Sequence, residues 1–443
     1  MKSSDPDTQM SDESRRHADT VITGVDVLLP GSDVLRDGAV AITDGSIMAV
    51  DSAAVIDAGF ASDCVVSGPG IVSPGLIDAH THLALSFARA LREMKGHPVY
   101  DVFWPLELCI DAELVGAFAR TSIAEALLAG VTTVADHYFY ADATVEAVRE
   151  LGIRGVIGQT IIRHDGPHHS EQSLGDGIDF AERHRSVPLV HPALAPHALD
   201  TVGDDWIVAV AGSARAMDVP VHMHVAQSQR EWDAIRHRSG RSPIAQLDEL
   251  GVLDQRTVAA HCMYADGADH AILASKPLVH PIYCPTVHAA LGKVMAAAKM
   301  YRMGSPIGIG TDAAPSERFD VLGEAQAASA HQAVLGESLS VEATFLAATE
   351  GNAQALGLGE VTGKVELGYA ADLVLWRTDR AVAGGAGDPR RLVAAVCGPD
   401  LVESVWVAGR RVVSGGRLTT GDEPIIGAAA DAARVTLFDR AGL

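Results

Sequence analysis

From Thr20 the chain runs in short apolar segments broken by glycine: TVITGVDVLL, then GAVAITDGSIMAV with a turn dipeptide at Asp44 and Gly45. Runs of this length separated by an Asp-Gly turn predict β-hairpins. About 50 residues of hairpin bury too little apolar surface to stand alone. The same texture returns at 364–376 (KVELGYAADLVLW) and 402–413 (VESVWVAGRRVV). The economical arrangement is one small β-sandwich formed by both termini, over 18–69 and 361–425, with a larger domain inserted between them. Residues 1–17 read as a disordered polar tail and 426–443 as a C-terminal helical tail.

Between the two β-rich ends, over 70–360, apolar runs of four to six residues alternate with helical stretches. IVSPGLIDAHTH, VTTVADHY, IRGVIGQTII, PLVHPALAPH, VHMHVAQ, TVAAHCMY, LVHPIYCP and IGIGTDAAP are the strand-like runs. Segments such as DATVEAVRELG and WIVAVAGSARAMDVP lie between them. Eight strand–helix cycles with little else predict an α/β fold, a (β/α)8 TIM-type barrel rather than an open sheet. No tandem repeat is visible, which excludes a solenoid.

Composition narrows the class. With 48% hydrophobic and 21% charged residues over 443 positions, the chain is not a disordered one. Its apolar stretches fall short of the roughly 20 residues that span a bilayer. The first twenty residues are polar and carry no export signal, so a cytoplasmic protein with no membrane partner is expected. Thirty-four Lys+Arg against 57 Asp+Glu give a net charge of −23, and no basic cluster offers a nucleic-acid surface. Five scattered cysteines (Cys64, Cys109, Cys262, Cys284, Cys397) show no C-x-x-C spacing, so free thiols are expected rather than disulfides or a cysteine-ligated zinc.

Barrel enzymes place their chemistry at the C-terminal ends of the strands. The polar residues finishing these runs are His80, His82, His137, His197, His222, His224, His261, His280 and Asp312, an unusual share of the chain's 19 histidines. His80 and His82 alternate on one strand and so face one side. A bare H-x-H is commonly structural, but here it follows an apolar strand after a Pro-Gly turn. His222 and His224 repeat the spacing; His224 lies nearer the strand end, whereas His222, one layer deeper, suits a core position. His261 either caps the next loop or faces an ion. Asp312 follows Gly308 and Gly310 and suits both a helix N-cap and a general base. Three histidines and a carboxylate around one ion leave a position for water, whose pKa on zinc falls to roughly 7. The chemistry implied is metal-assisted hydrolysis of an electrophilic carbon.

Taken together, P-G-L-I-D-A-H-T-H at 74–82, A-G-V-T-T-V-A-D-H at 129–137, H-V-A-Q at 224–227, A-H-C at 260–262 and G-T-D at 310–312 resemble the amidohydrolase superfamily. The branch they resemble comprises aminohydrolases and chlorohydrolases of nitrogen heterocycles: S-adenosylhomocysteine/methylthioadenosine, guanine, cytosine and s-triazine enzymes. The closing segment GKVELGYAADLVLW extends the likeness to nearly the whole chain. The resemblance implies that His80, His82, His224 and Asp312 bind one divalent ion, zinc first and iron second. It implies that His261 hydrogen-bonds the attacked group or the water and that Asp312 activates the water. Glu107 in W-P-L-E and His197 in A-P-H-A fall where relatives contact substrate. A homo-oligomer is expected by the same likeness.

Two positions depart from the pattern. Deaminases of this branch carry H-x-x-E after the fifth strand, and this chain has Gln227. An amide donates a hydrogen bond but does not relay a proton, and such assistance is typically worth about 10²–10⁴-fold. Asp312 would then take both proton transfers; His222 is an alternative, and Glu231, a turn along the next helix, points elsewhere. Relatives read C-P-x-S-N where this chain reads C-P-T-V-H, so His288 stands in a substrate-bordering loop and predicts altered ring specificity. Arg89, Arg92, Lys95 and Arg163 are the few basic residues available to grip an anion, and each also suits the surface. His164, His168 and His169 form a loop cluster that is either solvated or a second metal site.

The expected activity is hydrolytic deamination of an amino-substituted heterocycle (purine, pterin, pyrimidine or s-triazine) as a small-molecule substrate, with Gln227 taking part in catalysis beside Asp312 and His261. Dechlorination or amide hydrolysis in the same site is the rival that Gln227 favours, since chloride leaves without a proton. A non-catalytic binding protein would be marked by a lost ligand, and all four ligands are present.

Overall fold

The computed structural model describes residues 15–31, 33–91, 96–312 and 318–443. Most of the polar tail at 1–17, and Arg92 and Lys95, lie outside the described residues. The central part is α/β and of TIM-barrel type. Strands β1 (Leu76–Thr81), β2 (Val131–Tyr138), β3 (Arg154–Ile161) and β4 (Val190–Pro192, continued by Ala195–Pro196) pair in parallel. A second parallel set contains β5 (Val221–Val225), β6 (Thr257–His261), β7 (Val279–Tyr283) and β8 (Gly308–Ile309). Single parallel bridges join the sets at both edges, Leu194 to Val221 and Thr81 to Asp312. At those seams His222 N donates to Leu194 O at 2.9 Å and Asp312 N to His80 O at 2.9 Å.

The strands are buried except for the half-buried Gln159 and His191, as expected of parallel strands covered by helices. Ile77, Ala79, Ala135, Val156, Ala193, Val258 and Ile282 pack into one interior cluster. The helix Ala141–Leu151 shows how the outer layer is specified. Ala141, Val145 and Val148 recur at helical spacing on its buried face, and Gly152 ends it at φ 76 with its N–H on Val148 O.

Strands from both ends of the chain form one nine-stranded sheet. Gly70–Pro74 is its hinge point, antiparallel to Leu373–Arg377 and parallel to Thr20–Leu28. This segment therefore pairs with the terminal strands and not with the barrel strands that follow it. Asp44 and Gly45, at φ 49 and 77, make the tight turn between Val34–Thr43 and Ser46–Ser52. Ile22, Val40, Ile42, Val72, Leu373 and Trp406 form the apolar core of this region. The helix Glu423–Ala441 packs Ala433 and Leu437 into the cluster that holds Leu114 and Phe118 of the helix Ala112–Leu128. All five cysteines are free, and three of them, Cys262, Cys284 and Cys397, are buried. Among the described residues no helix is long and apolar enough to cross a membrane.

Candidate metal centre and active site

The site begins with the seam between β1 and β8. The buried Asp78 carboxylate accepts from Thr311 N at 3.0 Å and Thr311 Oγ1 at 2.6 Å, clamping the two strands together. Burial pushes its carboxyl up to about 7, against those hydrogen bonds. The clamp, with an irregularity between Asp78 and Thr81, sets His80, His82 and Asp312 side by side. Ala226, His261 and Asp312, at φ 49, 77 and 58, hold left-handed backbone at the strand ends. Non-glycine residues adopt that conformation only where surrounding contacts enforce it.

Second-sphere hydrogen bonds then fix the imidazoles. His82 Nδ1–H donates to His137 O at 2.6 Å, and His224 Nδ1–H donates to His197 O at 2.8 Å. Each bond leaves an Nε2 lone pair, and these two Nε2 atoms lie 3.1 Å apart. His82 and Asp312 approach to 3.5 Å, Nε2 to Oδ1, and His80 Nε2 lies 3.7 Å from the same oxygen. His80 Nε2 is buried without a protein partner, while His80 Nδ1 lies 2.7 Å from His222 Nε2. Burial, with His224 adding and the backbone hydrogen bond opposing, holds His82 down at about 3; burial against its backbone hydrogen bond holds His224 at about 4. Neutral imidazoles are the ligating form. Two lone pairs at 3.1 Å repel unless a cation lies between them, so the three histidines and Asp312 fit a divalent ion with an N3O donor set.

His261 Nε2 lies 3.9 Å from Asp312 Oδ2, and its Nδ1 lies 3.1 Å from His288 Nε2. The carboxylate favours a proton on His261 Nε2, which leaves Nδ1 to accept from His288. His288 is fully buried behind His261 and does not line the cavity. A second donor group, His261, Cys284 and His288, lies within 4.8 Å of itself, and burial pushes the Cys284 thiol well up.

Above the ligands opens a cavity. His82, His224, His261 and Asp312 form part of its wall, with Glu107, His137, His197 and Gln227 as further polar groups. Phe103, Trp104, Tyr138, Phe139, Leu85 and Val287 supply apolar surface. Burial raises the Glu107 carboxyl to about 7, with the Tyr138 hydroxyl opposing. His197 Nδ1 lies 2.8 Å from Thr201 Oγ1. Gln227 Nε2 is buried without a protein partner.

Glu231 turns back toward this site. Its carboxylate accepts from Ala226 N at 3.1 Å and Gln227 N at 2.8 Å, bracing the loop that carries Gln227. It does not line the cavity, and nor does His222, which backs His80. Sequence spacing alone does not reveal such a return; the cap that forces it, Ser228 Oγ accepting from Glu231 N at 3.1 Å, is legible as S-x-x-E. His280 is the second residue of β7 and lies at the opposite end, where Arg256 is its charged neighbour. His168 Nε2–H donates to Glu107 O at 2.7 Å and His169 Nδ1–H to Gly166 O at 2.6 Å, so this loop is tied to backbone. Arg89 pairs with Glu125, and Arg163 with Glu171 and Asp205.

The amidohydrolase family profile matches residues 71–412. A 5-methylthioadenosine/S-adenosylhomocysteine deaminase of Carboxydothermus hydrogenoformans is 32% identical over 371 residues, 81% of this chain and 84% of that one. A 5'-deoxyadenosine deaminase of Methanopyrus kandleri is 30% identical over 80% of this chain and 83% of its own length. Among solved structures, a zinc-bound adenosine deaminase of Xanthomonas campestris superposes with a TM-score of 0.91 at 29% identity, covering 96% of this chain and all of its own. The atrazine chlorohydrolase of Arthrobacter aurescens TC1, complexed with zinc, shares the fold at a TM-score of 0.82 and 23% identity, covering 94% of this chain and 100% of its own. The chain belongs to the amidohydrolase family and is a hydrolase of C–N bonds.

Proposed function

We propose that this protein is a hydrolytic deaminase of adenine nucleosides, with water consumed and ammonia released, dependent on one zinc ion held by His80, His82, His224 and Asp312. The two stitched half-sheets are read as one (β/α)8 barrel and the terminal sheet as a curled sandwich. The observation that carries the reading is a set of converging neutral imidazoles and a carboxylate at the foot of an apolar, aromatic-lined cavity. Such a cavity suits a flat heterocycle. An ion held there supplies Lewis-acid polarisation and lowers the pKa of water.

The chain's own groups do the rest. Asp312 accepts the proton of the attacking water at its carboxylate and returns it to the departing amine. His261 donates from Nε2 to the oxygen as it adds to the ring carbon, and His288 Nε2–H holds His261 in that tautomer. Gln227 donates from Nε2 to a ring nitrogen without transferring a proton, and Glu231 keeps its loop in place. Glu107 and His197 contact the substrate from the side walls, while Phe103 and Trp104 exclude water. His288 influences the substrate through His261.

Dechlorination or amide hydrolysis is the second reading, favoured by one observation: Gln227 occupies the wall with an amide, and chloride needs no proton to leave. The deciding experiment is ammonia release by the zinc-loaded protein from adenosine, 5'-deoxyadenosine and 5'-methylthioadenosine beside guanine, cytosine, pterin and s-triazine substrates. Release from an adenine nucleoside, abolished by Asp312→Asn, supports deamination. Silence on every amine, with chloride released from a chloro-s-triazine, would replace it by the second reading.

A further inference from the structure

We propose that His137 is a further substrate-binding residue whose imidazole reads a nitrogen of the heterocycle. The inference rests on the deaminase reading above. His137 is the seventh residue of β2, 1% exposed, and lines the cavity. Its backbone carbonyl is engaged by His82 Nδ1, but neither of its own ring nitrogens has a partner in the protein. That sets it apart from its neighbours. His82, His197, His224 and His261 each have Nδ1 engaged, to a backbone carbonyl, a hydroxyl or another imidazole.

The ring lies 4.9 Å from that of His224 and 6.3 Å from that of His197, centroid to centroid, between a metal ligand and a wall residue. It belongs to none of the donor groups that converge on a common point among the described residues. A neutral imidazole offers one N–H and one lone pair. Buried polar groups are rarely left unpaired. An imidazole with both nitrogens unpaired, in the wall of a cavity, is matched by a ligand that brings the missing acceptor or donor. Purine rings carry such nitrogens at positions 1, 3 and 7.

The test is a cycle between enzyme and ligand. Competitive inhibition constants of adenosine and of its 1-deaza, 3-deaza and 7-deaza analogues are measured on the zinc-loaded wild type, on His137→Leu and on His137→Gln. His137→Leu should weaken adenosine about tenfold or more, the typical effect of one lost buried hydrogen bond. The penalty should vanish for the one analogue lacking the nitrogen that His137 contacts. His137→Gln should recover part of the loss, and the metal content should stay at one ion per chain in every variant. An equal penalty on all four ligands, or none, overturns the inference while leaving the deaminase reading intact. Loss of the ion in His137→Leu also overturns it, by making His137 part of the metal centre. A wild type that binds no adenine nucleoside overturns the deaminase reading and this inference with it.

Discussion

Two groups of buried polar side chains sit at opposite ends of the same parallel strands, and they are built on opposite plans. At the N-terminal end, Arg154 donates from Nε to Asp372 Oδ2 at 3.0 Å and from Nη2 to Oδ1 at 3.1 Å. Asp372 Oδ1 also accepts from Ala408 N at 2.6 Å, so this ion pair ties the barrel strand to the terminal sheet with its carboxylate satisfied. At the C-terminal end, His80 Nε2, both nitrogens of His137 and Gln227 Nε2 are buried without partners. Leaving such groups unpaired costs about 1–3 kcal/mol each. The closed Arg154–Asp372 pair reads as mortar; unpartnered groups in a cavity wall, such as His137 and Gln227, mark where a ligand can complete the structure.

The contrast can be broken by mutating each end in turn. Asp312→Asn removes a ligand and a proton carrier at once, so activity should fall by about 10³-fold or more with little change in thermal midpoint, read by ammonia release and calorimetry. Asp372→Ala should do the reverse, lowering stability by about 3–5 kcal/mol by stranding the Arg154 charge, with kcat retained in the folded fraction. A stable Asp372→Ala protein, or a destabilised Asp312→Asn one, would erase the distinction. Gln227→Glu should raise the deamination rate by roughly tenfold to a hundredfold by adding a proton relay, and leave dechlorination unaltered.

The smallest effect concerns pH. Burial, with Asp200 adding, raises the Glu231 carboxyl from 4.5 to about 8. Over that window the folded protein keeps a proton that the unfolded chain releases. Stability from this group is therefore greatest below about 4.5 and declines as pH rises toward about 8. Glu231→Gln cannot titrate, so wild type should lose stability relative to it across the window, by at most about 1.4 kcal/mol per pH unit. Denaturant melts of both proteins at several pH values check the slope.

The strand-end histidines were legible because parallel strands in this fold deliver their last residues to one rim, so H-x-H and G-T-D mark the place without a structure. The depth of each residue along its strand was not legible. His280 finishes no strand, and the apolar run around it extends beyond its side chain toward Tyr283. His222 and His288 contact other histidines rather than the cavity, a placement set by contacts 142 and 27 residues away in sequence. Gly70–Pro74 is apolar enough for either region; pairing with Leu373–Arg377, at the other end of the chain, decides it. The Arg154–Asp372 pair spans 218 residues and left no local pattern.

We propose that His80, His82, His224 and Asp312, at the strand ends, form the metal centre. Anomalous diffraction at the zinc edge from crystals of the zinc-loaded protein tests it directly. The claim predicts a single peak about 2.0–2.2 Å from His80 Nε2, His82 Nε2, His224 Nε2 and an Asp312 oxygen. No peak there, or one among His261, Cys284 and His288 instead, would contradict it.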